Sequence, residues 1–326
     1  MSSDRSKIRL REVILMTSNF FFVRILLWSS FGLAAFSACK TTNRANRGHV
    51  KVTHGSESQE PSSIVLFRGG HLCTATIVAP DVLLTAAHCA VSENLADYAA
   101  FQNFPKFGPG PVAYEIKDRF IHPNYKAGIA DPTVDLALLR TDKPFDIEPK
   151  KLQMEAPKPG DVINLTGYGE TIAGDQRSNP DAKQYSASTI LPLEIEIKTI
   201  NNEVHYVDKS GLDTYTQDDL VNWYLFSDNL QKGILEFCGN AGSAQDTKFK
   251  CKGASIASGD SGSAVFQNDK IIAITSTVSV LPDRVWSSAT LVSHPGGQKF
   301  FCAALARGFV LSWAHVDNST ARLACP

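Results

Sequence analysis

The chain has 326 residues, 43% hydrophobic and 20% charged, enough apolar side chain for one large domain or two packed ones. Its formal net charge of -1 carries no signature of nucleic-acid binding. No CxxC or HExxH occurs, so metal-ligand spacing is absent and neither metal nor cofactor is expected.

Residues 25–38, ILLWSSFGLAAFSA, are an uncharged apolar run of 14 residues preceded by Arg24. The run is short for a membrane span and suits the hydrophobic part of a signal peptide, so residues 1–38 are set apart from the fold. Ser37 and Ala38 before Cys39 resemble a bacterial lipobox, which would make Cys39 the lipidated first residue of the mature chain. Phe36 departs from the Leu-like residue of that motif, and ordinary secretion is the rival reading. Met16 is an alternative start. Loss of residues 1–38 removes five basic and two acidic side chains, leaving 27 basic and 31 acidic, a charge of -4. The expected destinations are secretion, the periplasm, or a lipid anchor on a bacterial outer membrane. Beyond Cys39, six cysteines remain, at 73, 89, 238, 251, 302 and 325, which in an exported protein reads as up to three disulfides.

Residues 40–51 are polar and basic with no apolar period, and read as a linker. From residue 62 the texture changes to short apolar runs separated by Gly, Pro, Asn and Asp. Examples are SIVLF (63–67), CTATIV (73–78), VLLTAA (82–87), LALLR (136–140), VINLTGYG (162–169), ILPLEIEIKTI (190–200), SAVF (263–266), KIIAITSTV (270–278) and SATLV (288–292). Such runs predict the strands of an all-β sandwich or barrel. Helical patterning is confined to 218–233 and 296–308. Pro-rich stretches near 105–111 and 157–159 read as loops, and the second could join two halves.

Three polar groups stand against this apolar background. His88 follows LLTAA and precedes Cys89; alone it would pass for a half-buried histidine beside a core cysteine. Cys73 lies 16 residues earlier in a neighbouring strand, however, and a Cys73–Cys89 bridge would fix the His88 loop. A general base must be held within roughly 3 Å of its proton donor. Asp135 opens the buried run LALL, where a carboxylate is costly without a hydrogen-bonded partner such as an imidazole N–H. Asp131, in the same loop, reads as a turn residue. Ser261 sits in SGDSG between Gly259 and Gly262, which permit unusual backbone angles and close approach of a substrate. Its surroundings, GASIASGDSGSAVF (253–266), could also be a flexible connector.

LTAAHC, DLALL and GDSGS, in that order, with IHPNY (121–125) and LTGYGE (165–170), resemble the chymotrypsin/trypsin-like (S1) serine protease family, here of a bacterial exported type. His122 in IHPNY is not the family's catalytic histidine. The resemblance covers roughly residues 52–305. It implies two six-stranded antiparallel β-barrels packed together with a C-terminal helix, spanning 52–158 and 159–308, with an extra tail at 309–326. It further implies Ser261 as nucleophile, His88 as general base then acid, Asp135 as the group that orients the imidazole, and the amides of Gly259 and Ser261 as the oxyanion hole. Residues 39–51 become a linker and activation peptide. Cleavage after Lys51 would free the α-amine of Val52 to pair with Asp260, although Thr53 and His54 depart from the family's usual start. Ser255 falls at the base of the primary substrate pocket, with Ser276 and Val278 in its wall. No acid stands at the base, so the expectation is small or medium apolar side chains rather than Lys or Arg. Cys238–Cys251 would bridge a hairpin and Cys302–Cys325 would tie back the tail. The expected partners are protein or peptide substrates and an activating protease, for a monomer. The alternatives are a catalytically silent homologue serving as a binding module, and an esterase of another fold, which the order His, Asp, Ser disfavours.

Overall fold

The structure, a computed structural model, describes residues 55–102, 111–171, 179, 181, 183–191, 195–200, 203–208, 214–215, 228–240, 254–280 and 284–325. Lys51, Val52, Cys39, Cys251, residues 105–110 of the first Pro-rich stretch and most of the 218–233 helical pattern lie outside these residues. Residues 228–231 do form a helical turn.

Two curled sheets organise the described chain. The first has seven strands in the order Val112–Tyr114, Tyr98–Gln102, Ser63–Arg68, His71–Ala79, Val82–Thr85, Ala137–Thr141 and Ile116–Ile121, all antiparallel. The sheet curls so that Ile116–Ile121 returns towards Tyr98–Gln102. A tight hairpin sets its register. Arg68 pairs with His71 across Gly69 and Gly70, with φ of +54° and +88°, the two-residue turn that matches strand twist and requires left-handed backbone at both positions. The strand that follows, HLCTATIVA, is buried from Cys73 to Ala79, as its run of β-branched and small residues demands.

The second sheet has ten strands. Ser56–Glu57, Tyr185–Ile190, Val162–Gly167, Ala264–Gln267 and Lys270–Val280 follow one another, and Lys270–Val280 also carries Arg284–Leu291 and then Ile234–Asn240. Leu152–Gln153 joins Lys270–Val280 in parallel, pairing Leu152 with Ile271, and Trp313–Ala314 joins Leu152–Gln153, also in parallel. Thr320–Ala321 closes the tail as a short hairpin. A separate three-stranded sheet holds Ile195–Ile200, Glu203–Asp208 and Thr214–Tyr215. Among the described residues the counts exceed six and six, because the short strand Val112–Tyr114 adds a seventh to the first sheet and two-residue pairings at Ser56, Leu152 and the tail extend the second. The expected single run 190–200 resolves into two strands in different sheets.

The C-terminal helix, Pro295–Ala306, starts with Pro295 in its first turn, and the His294 ring caps it by accepting the Gly296 N–H at 3.2 Å. It docks on the first sheet: Phe300 stacks on Phe120 at 5.2 Å and on the His122 ring at 5.6 Å. Phe301 meets Trp313 of the tail edge-on at 5.2 Å, and a Cys302–Cys325 disulfide fastens the tail to the helix. Among the described residues, no helix is long and apolar enough to cross a membrane.

Candidate active site

His88 lies in the short 3-10 turn Ala87–Cys89, directly after the buried strand Val82–Thr85. Its Nδ1 is 2.7 Å from Asp135 Oδ2, and its backbone N–H donates to Asp135 Oδ1 at 2.9 Å. The Ser276 hydroxyl donates to Oδ2 at 2.5 Å. The carboxylate is 3% exposed, and these three donors supply the partners that a buried acid needs. With Nδ1 as the donor, Nε2 keeps the ring lone pair, free to accept a proton. Ser276, expected in the wall of the substrate pocket, gives its hydroxyl proton to Asp135.

A Cys73–Cys89 disulfide locks the turn to the strand His71–Ala79. The two sulfurs and an imidazole nitrogen lie within 4.8 Å of one another, but both sulfurs are tied in the bridge and offer no thiolate to a metal.

The same strand brings in the serine. Thr74 N–H donates to the Ser261 carbonyl at 2.9 Å, its hydroxyl donates to the Gly259 carbonyl at 3.0 Å, and the Cys89 sulfur lies 3.6 Å from the Ser261 carbonyl. Ser261 is thereby held next to the residue that follows His88. Around it the chain is a tight turn and not a connector. Gly259 and Gly262 have φ of +96° and +84°, and a Cβ on Gly262 would lie 2.0 Å from Thr85 Oγ1 and 2.4 Å from the Thr74 carbonyl oxygen. The amides of Asp260, Gly262 and Ser263 find backbone acceptors in Ala257, Thr275 and Asp260. Among the described residues, neither the Gly259 nor the Ser261 amide has one.

Asp260 is fully buried. Its Oδ1 accepts the Gly169 N–H at 2.8 Å and its Oδ2 accepts the Ala257 N–H at 2.9 Å. Burial pushes its pKa up to about 7 in spite of these two bonds, with the nearby Glu170 carboxylate adding to the rise. Ser255 is buried, and Val278 is partly buried against the core of the second sheet. His122 is elsewhere: its Nδ1 accepts the Asn124 N–H at 3.2 Å and burial lowers its pKa. Cys238 lies on the strand Ile234–Asn240. Nothing in the local sequence marks Thr74, whose hydroxyl also accepts the Tyr168 N–H at 3.3 Å and so ties the LTGYG strand to the Ser261 turn.

This fold is chymotrypsin-like, mostly β with a C-terminal helix. Residues 48–211 match the family model described as Trypsin, and the chain belongs to that family. Two similar proteins are a vitellin-degrading protease of Bombyx mori, 29% identical over 171 residues, and trypsin zeta of Drosophila melanogaster, 30% identical over 141 residues. The matched regions cover 49% and 41% of this chain, and 61% and 46% of those proteins. A solved structure with the same fold, an inactivated protease paralogue of the scabies mite, has a TM-score of 0.51 and 15% identity, covering 78% of this chain and 97% of its own. These relatives are animal proteins and lend no support to the bacterial type expected from the lipobox-like stretch.

Proposed function

We propose that this chain is an exported serine endopeptidase acting on protein or peptide substrates through an acyl-enzyme. Ser261 attacks the scissile carbonyl, and His88 takes the serine proton and later passes it to the leaving amine. Asp135 orients the imidazole and stabilises its cation. The observation that carries this reading is the double grip of Asp135 on His88, ring and backbone, beside a serine held in a tight glycine-flanked turn. The amides of Gly259 and Ser261, which have no backbone acceptor among the described residues, form the oxyanion hole, each worth about 2.7–4 kcal/mol in the transition state.

Residues 1–38 direct export and 39–51 form a linker and activation peptide. Residues 52–158 and 159–308 are the two halves of the catalytic domain, and 309–326 are its tail. The protein is a monomeric zymogen, activated by another protease cutting after Lys51, whereupon the Val52 amine pairs with Asp260. The buried hydroxyl of Ser255 and the inward side of Val278 favour a shallow, uncharged primary pocket, which takes small or medium apolar side chains. A peptide library cleaved mainly after Lys or Arg would overturn that pocket. The mass of the mature N-terminus separates a lipidated Cys39 from ordinary secretion.

A fluorescent fluorophosphonate tests the reaction. The chain cleaved after Lys51 is expected to take one label per molecule, and Ser261→Ala and His88→Ala to take none. A cleaved, folded chain that stays unlabelled would make the protein a silent homologue that binds and does not cut.

A further inference from the structure

The 3-10 turn that carries His88 ends with carbonyls that no helix continues to satisfy. Two guanidinium groups meet them. Arg68 Nη1 donates to the His88 carbonyl at 2.8 Å. Arg119 Nη1 donates to the Ala90 carbonyl at 2.7 Å and also to the Ser92 carbonyl, which accepts the Tyr98 hydroxyl at 3.0 Å as well. Three alternate carbonyls, at 88, 90 and 92, are thus gripped by cations, the charge that suits the carbonyl end of a helical turn. The two arginines come from different strands. Arg68 ends Ser63–Arg68, just before the Gly69–Gly70 hairpin, and Arg119 lies on Ile116–Ile121.

Their effects on His88 differ. Asp135 fixes the peptide plane before His88 through its N–H, and Arg68 fixes the plane after it through its C=O. Together the two planes set the His88 backbone angles and so the direction of its Cα–Cβ bond. The bond from Nδ1 to Asp135 then sets the rotation of the ring. Arg119 begins its grip two residues later, at Ala90 and Ser92.

We propose that Arg68 is a positioning residue for His88: its guanidinium holds the peptide plane that aims the imidazole, and so governs the rate of the chemical step and not the affinity for substrate. This rests on His88 being the base. Arg119 holds the loop without aiming the ring and serves as the internal control.

The test uses the full chain cleaved after Lys51 and a fluorophosphonate, whose saturation kinetics separate the inactivation rate constant from the binding constant. Arg68→Met is expected to lower the rate constant about tenfold with the binding constant within twofold, since small misplacement of a reacting group is costly in rate. Labelling still reaches one per molecule. Arg68→Lys, which keeps a charged donor but lacks the planar fork, is expected to recover part of the loss and stay about threefold slow. Arg119→Met is expected to lower the melting temperature but keep the rate constant within twofold. An Arg68→Met rate constant within twofold of the parent's, or an equal fall in Arg119→Met, overturns the proposal. Where Arg68→Met does not fold, Arg68→Lys against Arg119→Lys decides it, a fall of more than twofold in the first alone being expected. His88→Ala labelling at the parent's rate would instead remove the base assignment; His88→Ala inert with Arg68→Met unchanged removes only the role of Arg68.

Discussion

Asp135 binds His88 twice, through the ring at 2.7 Å and through the backbone N–H at 2.9 Å. One side chain therefore sets the tautomer and holds the loop that bears the ring. Asp135→Asn leaves only one oxygen for three donors, and an amide facing Nδ1 favours the wrong imidazole tautomer. Fluorophosphonate inactivation is expected to slow by about 10⁴-fold, as for loss of this group in a serine triad. Near-parental rates, slowed less than tenfold, would mean that the carboxylate serves packing alone.

Ser276 supplies the third donor to Asp135, at 2.5 Å, across 141 residues of sequence. Hydrogen bonds to a charged group are worth about 1.5–3 kcal/mol, so Ser276→Ala is expected to slow inactivation by roughly tenfold to a hundredfold. A residue that merely walled the pocket would shift peptide selectivity and leave that rate unchanged. Comparing the two readouts on one variant separates the roles.

How far these groups were legible follows from their neighbours in sequence. His88, Asp135 and Ser261 each break an apolar or glycine-rich run, so each announces a cost that the fold must meet. Ser276 and Arg68 break nothing: a serine in KIIAITSTV and an arginine at a strand end are ordinary, and only the curled sheets bring them to Asp135 and His88. The same holds for the fold. Buried runs such as CTATIV and KIIAIT were readable as strands, whereas Leu152–Gln153 and Trp313–Ala314 are two residues long and exist only because each pairs with a remote partner. The tail's attachment through Phe301, Trp313 and Cys325 is tertiary in the same sense.

Gly262 offers a sharp steric test. Its φ is +84°, and an added Cβ would lie 2.0 Å from Thr85 Oγ1, 2.4 Å from the Thr74 carbonyl oxygen and 2.8 Å from Ala86 N, two of them backbone atoms. Neither Thr74 nor Ala86 can move without pulling on the His88 turn. Gly262→Ala is expected to cost about 3–5 kcal/mol in denaturant unfolding and to abolish labelling. Gly308 is the control: it has the same φ with nothing within 4 Å of an added Cβ, so Gly308→Ala should cost only about 1 kcal/mol and label normally. Equal losses in the two variants would leave backbone strain as the whole effect.

Asp260 ties the stability of the fold to pH, and the activation proposed above predicts how cleavage changes that tie. In the uncleaved chain, burial raises its pKa from 3.8 to about 7. The folded state thus holds a proton that the unfolded state has released, between about pH 4 and 7, and stability falls as pH rises through that window. The loss can approach an amount on the order of 4 kcal/mol, at about 1.4 kcal/mol for each tenfold difference in proton affinity between the two states. Asp260→Asn has no such proton to lose. In a Ser261→Ala background, which prevents self-cleavage, the uncleaved parent should therefore lose stability relative to Asp260→Asn from about pH 4 to 7 in urea unfolding. After cleavage at Lys51, pairing with the Val52 amine favours the ionised carboxylate, and the slope should flatten or reverse. A slope that survives cleavage unchanged would separate Asp260 from the new amino terminus and leave the activation step without its partner.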